Sequence, residues 1–349
     1  MTTNNATKST TLALQGGGAH AAFTWGVLER LLDEVAAGRL RIAAISGTSG
    51  GALNAAACAA GLNESPEAAK RLLETLWDAV AAESLWSPGL NVNLAAADSP
   101  LHWNVDTNPL VIALQTVQQV NSPYFTPWMQ NPIGPIVEKI IPDFAALNSS
   151  DGAAPRVYVA ATNINRTSLR IFGPGELSVN ALLASTCYPT LFEAVEIDGQ
   201  FYWDGGYMAN PALSPLLDWS DDLLSILIDP LVIADGPPKL PRQIVNRINE
   251  VSFGASWVTE MRQIALINDL IATGMLKGTK YRTKRFHVIR NDRFMQDIGA
   301  ASKNTPSRQF FSALRQEGLR MANAWVDQHF ADLGVKSSFD IDTEVKARL

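Results

Sequence analysis

Two short apolar runs constrain this chain most, because each breaks into a cluster of glycines and then into a helix. The first is TLALQ at 11–15, followed by Gly16, Gly17 and Gly18. Apolar residues at helical spacing come next: Phe23, Val27, Leu28, Leu31, Leu32 and Val35. The second is RIAAIS at 41–46, followed by Gly47-Thr48-Ser49-Gly50-Gly51 and the small-residue run ALNAAACAA. Gly38 and Gly61 supply helix stops. Strand, loop and helix twice over predict parallel strands joined by crossover helices, and so an α/β fold. Later strands are expected at 157–163, 169–172, 223–229 and 285–290, with a hairpin in VEIDGQFYW turning at Asp198-Gly199. Helical patterns cover 242–275 and 306–331.

The polar start MTTNNATKST (1–10) reads as a disordered tail, residues 11–235 as an α/β domain, and 236–349 as a helical extension packed on it. Segment 84–137 stands apart, with no Lys or Arg and with Trp86, Trp103 and Trp128. It is too long for a plain loop and is expected to be a partly helical insertion that caps a site. The net charge of −6 argues against nucleic acid as a partner. No basic start with an apolar core reads as a secretory signal, and no run of about 18 apolar residues reads as a transmembrane helix. Cys58 and Cys187 lie in apolar stretches and are expected to be reduced, buried and cytoplasmic. Four scattered histidines and no Cys/His cluster leave no metal site to expect. Oligomeric state is not encoded legibly.

Two chemistries fit the glycine loop. Gly16, Gly18 and Ala21 match the G-x-G-x-x-A fingerprint of a dinucleotide site, and with it an NAD(P)-dependent dehydrogenase. The same loop also offers bare N–H groups at a helix start, suited to a phosphate or a transient oxyanion. The second unit weighs between them. A dinucleotide fold needs an acidic ribose ligand at the end of that strand, whereas this strand ends in G-x-S-x-G. A serine on so cramped a turn requires small neighbours, which Gly47 and Gly51 supply, while Gly50 opens the approach. Ser49 is then a candidate nucleophile under the positive end of a helix; the plainer alternative is a helix N-cap.

A serine hydroxyl needs a base. Asp204, in YWDGGY, follows a strand and precedes Gly205 and Gly206, which would let its carboxylate enter a crowded site. A Ser-His-Asp arrangement with His287 or His329 is the alternative. However, His287 alternates within a strand pattern and His329 lies on a surface helix.

GGGAHAAF, GTSGG and DGGY, in this order, resemble the motifs of patatin-like phospholipases, in particular a bacterial subgroup. The resemblance runs from residue 11 to about 230. The stretches VAATNINRTSLRIF, ASTCYPTLFEAVEIDGQFYWDGGYMANPAL and FGASWVTEMRQIALINDLI carry it further. It implies a three-layer α/β/α fold and hydrolysis of fatty-acyl esters of lipids, of lipase or phospholipase A type, without a cofactor. It also implies a Ser49–Asp204 dyad with no catalytic histidine, and an oxyanion hole at Gly16, Gly17 and Gly18. Ala184, Ser185 and Pro189 match the family's A-S-x-x-x-P element, whose role is structural. Where many relatives carry Arg or Lys, then Gly, this chain has His20 and Ala21. The resemblance therefore suggests that a permanent cation beside the loop is replaced by a group titrating near pH 6.5.

On the substrate side, Trp86, Trp103, Tyr124, Phe125, Trp128 and Met129 are expected to wall an acyl pocket. The run 277–293, with seven Lys/Arg against one Asp, is a candidate for peripheral contact with anionic headgroups. A non-catalytic lipid-binding protein is the remaining alternative.

Overall fold

The computed structural model describes residues 7–83, 99–125, 131–149, 154–233 and 236–346. The strands are β1 (Lys8–Leu14), β2 (Leu40–Thr48), β3 (Arg156–Asn163), β4 (Ser168–Phe172), β5 (Val195–Ile197), β6 (Gln200–Asp204), β7 (Asp222–Ile226) and β8 (Arg285–Ile289). They form one sheet in the order β5-β6-β3-β2-β1-β7-β8, with β4 also paired to β3. From β3 to β8 all neighbours are parallel. β4 and β6 run antiparallel to β3, and β5 to β6. The hairpin turns at Asp198 (φ 52°) and Gly199 (φ 70°), the two left-handed positions that its two-residue loop requires.

Alternating side chains split the molecule into layers. Leu12 and Leu14 of β1, Ile42 and Ile45 of β2, and Leu224 and Ile226 of β7 point into one apolar cluster. Ala13, Ala44, Leu223 and Leu227 join a second. The first layer is built by α1 (Ala22–Ala36), α2 (Gly50–Leu62), α3 (Pro66–Ala82), α5 (Ile133–Ile140), α7 (Val179–Ser185) and α10 (Arg308–His329). The other face is covered by α8 (Pro241–Ala272) through Trp257, Met261 and Ile264. Shorter or peripheral helices are α4 (Pro109–Val120), α6 (Ala145–Asn148) and α9 (Asp292–Ile298). The expected three-layer α/β/α architecture is present.

Region 236–349 is integral to this core, since it supplies β8 as well as helices. α10 crosses α1 where glycines remove side chains: a Cβ on Gly26 would lie 1.9 Å from the Arg315 carbonyl oxygen, and one on Gly318 would lie 1.9 Å from that of Phe23.

One boundary differs from the sequence expectation. The polar residues 8–10 are strand, because the Lys8 N–H reaches the Arg39 carbonyl and Lys8 Nζ reaches the carbonyls of Ala331 and Leu333. Within 84–137 the described part is partly helical, as expected: a turn at Pro100–Trp103, α4, a turn at Pro123–Phe125 and the start of α5. Cys58 and Cys187 are buried free thiols whose pKa burial pushes up to about 12. Among the described residues no helix is long and apolar enough to cross a membrane.

Candidate active site

The register of β3 brings two distant segments together. β2 pairs with the first part of β3 and ends with Thr48 opposite Ala160. β6 pairs with the rest of β3 and ends with Asp204 opposite Ala161. β4 overlaps both and holds the other edge of β3. β2 and β6 therefore meet end to end along a single edge, their C-terminal ends on consecutive β3 residues. Ser49 and Asp204 leave the sheet at that junction.

Ser49 takes φ 54° and ψ −125°, a left-handed conformation that costs a side-chain-bearing residue about 1–3 kcal/mol. The surroundings hold it there. Its N–H donates to Ser185 Oγ at 2.9 Å, and its carbonyl accepts from Ala52 and Leu53 at the start of α2. Ser185 thus gives the A-S-x-x-x-P element a concrete task. Room for the turn comes from missing side chains: a Cβ on Gly47 would meet Gly51 O at 2.5 Å, one on Gly51 would meet Leu14 O at 2.3 Å, and one on Gly50 would meet Ala21 Cβ at 2.7 Å.

Asp204 is 5% exposed. Burial pushes its pKa up from 3.8 to about 6. The Ser49 hydroxyl lying against its carboxyl, the Gly206 N–H donating to Oδ1 at 2.8 Å and the charge of Lys303 all pull the other way. The carboxylate is therefore ionised at neutral pH yet close enough to titration to accept a proton. Its neighbour Gly205 must be glycine, because a Cβ there would lie 2.2 Å from Ala160 O.

The three glycines of the loop are not equivalent. Gly16 packs on the serine turn, where a Cβ would lie 2.4 Å from Thr48 O and 2.7 Å from Ser49 Cβ. Its N–H donates to Asn210 Oδ1 at 2.7 Å, and Asn210 Nδ2 donates back to Gly16 O at 3.1 Å. Gly16 is thus not an open donor, which corrects the expectation of three. The N–H groups of Gly17 and Gly18 have no acceptor among the described residues.

His20 departs from expectation too. Burial, then the nearby Lys303, holds its imidazole well below 6.5, so it is neutral rather than a titrating neighbour. Ser302 Oγ gives its proton to Gly299 O at 2.7 Å, so His20 Nε2 donates to Ser302 Oγ at 2.7 Å. The cation beside the loop is Lys303, ion-paired to the buried Asp229. Its Cε would lie 3.5 Å from a Cβ on Gly17, and its carbonyl 2.5 Å from one on Gly18.

Neither histidine of the alternative triad serves Ser49. His287 is buried in β8 between Ser338 Oγ (2.8 Å) and Asp222 Oδ1 (3.0 Å). Asp222 opens β7 and so marks the opposite, N-terminal end of the parallel strands. His329 pairs with Asp332 at the end of α10.

Among the expected acyl-pocket residues, the three described ones do not come together. Trp103 packs on Phe310 with ring centroids 5.2 Å apart, while Tyr124 and Phe125 are exposed. Trp86, Trp128 and Met129 lie outside the described residues. Five of the seven cations of the basic run are ion-paired. Arg282 and Lys284 pair with Asp221, Arg285 with Asp222, Arg290 with Asp292 and Glu344, and Arg293 with Asp297. Arg282 and Arg285 line a groove of about 560 Å³ at the N-terminal end of the strands, with Lys8, Trp219 and Asp222 among others. That groove is at the opposite end of the strands from Ser49 and Asp204.

Asn210, Gln15 and Lys303 escaped sequence reading. Gln15 Oε1 accepts from Ile228 and Asp229 (2.7 and 2.8 Å), tying the glycine loop to the end of β7. Gln15 and Asn210 directly adjoin recognised motifs, which was an available signal. Lys303 lies in a helical turn nearly 300 residues away, with no local pattern to flag it.

A strained serine, a buried carboxylate and open glycine amides at one end of an α/β/α sandwich make the frame of a serine hydrolase. The patatin-like phospholipase family matches residues 12–217, more than half of the chain, and the chain belongs to that family. Membership places it among lipid ester hydrolases and displaces the dinucleotide reading. Solved structures are similar only distantly. VipD from Legionella pneumophila is 15% identical, with 93% of this chain and 67% of that chain covered and a TM-score of 0.43. Full-length ExoU of the Pseudomonas aeruginosa type III secretion system, in complex with SpcU, is 14% identical over 91% of this chain, with a TM-score of 0.30. This chain spans about half of that one, 52%. A second ExoU–SpcU structure is 17% identical, covering 96% and 73%, with a TM-score of 0.31. No curated protein matches the chain.

Proposed function

We propose that the chain is a lipid acyl hydrolase of phospholipase A type, working through a Ser49–Asp204 dyad and needing no cofactor. Asp204 takes the Ser49 proton as Oγ attacks the ester carbonyl carbon. The oxygen of the tetrahedral intermediate turns toward the open N–H groups of Gly17 and Gly18. One such donor is worth about 3–4 kcal/mol in the transition state. Collapse breaks the bond to the alcohol, which leaves with the proton from Asp204. Water then repeats the cycle on the acyl-enzyme: Asp204 takes its proton, the hydroxide oxygen joins the carbonyl carbon, and Ser49 leaves reprotonated with release of the fatty acid.

The observation that carries this reading is the contact of the Ser49 hydroxyl, on a left-handed turn, with a carboxylate whose pKa is pushed up to about 6. A helix N-cap does not need that partner, nor a strained backbone.

The test is hydrolysis of phospholipid and p-nitrophenyl esters, with labelling by a fluorophosphonate probe. Ser49→Ala should abolish both. Asp204→Asn should cut turnover by about a thousandfold, within the range for loss of a positioned base. His287→Ala should retain turnover if folded. Full activity in Ser49→Ala would overturn the proposal. An inactive wild type that still binds lipid would favour a non-catalytic lipid-binding protein.

A further inference from the structure

The segment that ends α7 touches both Ser49 and Asp204. Ser185 Oγ accepts the Ser49 N–H at 2.9 Å, and Cys187 O accepts the Asp204 N–H at 2.8 Å. Tyr188 comes next. Its N–H donates to Thr186 O at 3.0 Å and its carbonyl accepts from Leu191 and Phe192, so its backbone is fixed. Tyr207 lies three residues beyond Asp204, at the end of the helical turn Gly205–Tyr207. The rings of Tyr188 and Tyr207 face each other at 30°, with centroids 6.4 Å apart, and their hydroxyls interact. Phe253 of α8 backs Tyr207, with centroids 5.2 Å apart. It fits there only because residue 206 is glycine: a Cβ on Gly206 would lie 2.3 Å from Phe253 Cε1.

Tyr207 is 44% exposed, yet its hydroxyl feels the charge of the buried Asp204, so this side chain leads from the carboxylate toward solvent. Desolvation of the hydroxyl, then Tyr188, then Asp204 and Cys187 push its pKa up, and it keeps its proton. Among the described residues, no cation acts on it. At most one O–H of such a pair donates to the other, which leaves a donor for a ligand.

We propose that Tyr188 and Tyr207 form the subsite for the leaving alcohol and select esters of glycerol, by hydrogen-bonding uncharged oxygens of its backbone. The inference rests on the reaction proposed above. There Asp204 returns the proton to the alcohol, so the alcohol oxygen lies against Asp204. Whatever flanks Asp204 toward solvent then flanks the departing group, while the acyl carbonyl oxygen is held at Gly17 and Gly18. The chemistry of the pair sets what it selects. Two phenols offer apolar rings and protonated donors. Beside an ionised carboxylate and without a cation, they suit neutral ester and hydroxyl oxygens; a phosphate would be repelled by Asp204. A site built to pair a substrate's polar groups rejects the analogue that lacks them.

The test compares butyrate esters that share the acyl group and differ in the alcohol: glycerol monobutyrate, propyl butyrate, and dibutyroyl phosphatidylcholine below its micellar concentration. Tyr188→Phe/Tyr207→Phe keeps both rings and removes both hydroxyls. Its kcat/KM should fall about tenfold on glycerol monobutyrate and on the phospholipid, since hydrogen bonds to the alcohol are lost. On propyl butyrate it should stay within about twofold, and labelling by a fluorophosphonate should keep the wild-type rate. Unchanged kcat/KM on glycerol monobutyrate would overturn the proposal, because the hydroxyls would then touch no leaving group. An equal fall on propyl butyrate, or slowed labelling, would overturn it too, by showing that the pair acts through the dyad. A fall confined to the phospholipid would place a phosphate at the pair and defeat the charge argument. Failure of the dyad itself is read separately, as esterase activity that survives Ser49→Ala.

Discussion

Replacing Asp204 by Asn should make the protein more stable at pH 8 even as it removes turnover. In the unfolded chain this carboxyl titrates near 3.8; in the fold burial holds its pKa at about 6. Between those values the native state binds more protons than the unfolded state, so its stability falls as pH rises from about 4 to 6 and stays lowered above. The gap corresponds to about 3 kcal/mol of destabilisation at pH 8 and roughly half that at pH 5. Asn removes the charge, keeps an Oδ1 to accept from the Gly206 N–H, and nearly preserves volume. Urea unfolding of Asp204→Asn and wild type at pH 8, 6 and 5 should therefore show a gain of about 3 kcal/mol that shrinks toward acid pH. A variant that is less stable than wild type at pH 8, or a difference indifferent to pH, would refute the argument that the fold holds an ionised, desolvated carboxylate beside Ser49.

Other expectations follow from the same geometry. Lys303 pulls the pKa of Asp204 down, so its loss should move the acid limb of the kcat/KM profile to higher pH; Lys303→Met/Asp229→Asn avoids leaving a buried carboxylate unpaired, and a limb that stays put or moves to lower pH sinks the idea. Gly16→Ala puts a methyl 2.4 Å from Thr48 O, displaces the serine turn and should cost about a hundredfold in kcat together with a lowered melting temperature, as read by ester turnover and calorimetry. Gly318→Ala forces α10 off α1, where the new Cβ would lie 1.9 Å from Phe23 O; thermal unfolding should report a loss of about 3 kcal/mol.

The β-loop-α units, the α/β class and most strand positions were legible because each depends on local periodicity and on glycines whose reason is steric. The regions around Ser49 and Asp204 were legible for the same cause: tight turns advertise themselves. What stayed hidden depends on pairing at long range. That Gly16 spends its N–H on Asn210 follows from two loops 194 residues apart, and nothing in GGG distinguishes the first glycine from the next two. His20 looked like a titrating group because its local sequence says nothing of burial under Ser302 and Phe310. Lys303 sits in a short turn nearly 300 residues from the glycine loop it packs on. The aromatics of 84–137 read as a pocket from composition alone, and composition cannot say that Trp103 spends its ring on Phe310.

The junction on β3 explains how Ser49 and Asp204, the proposed nucleophile and base, can be so far apart in the chain without a loop having to find its partner. A loop-borne base would lose orientational entropy at each closure. Here the hydrogen-bond ladder fixes Asp204 opposite Ala161 and Thr48 opposite Ala160, and Thr162 Oγ1 donates to Asp204 O at 2.8 Å as a further clamp. The backbone N–H of Asp204 is bound as well, to Cys187 O at 2.8 Å. In the proposed mechanism Asp204 therefore starts each turnover already positioned, and its only freedom is at its own side chain. Thr162→Val should consequently leave the fold standing but loosen that clamp, lowering kcat by about tenfold with KM for a short ester unchanged. A rise in KM with constant kcat would show that Thr162 acts on substrate binding and that the ladder alone suffices to place Asp204.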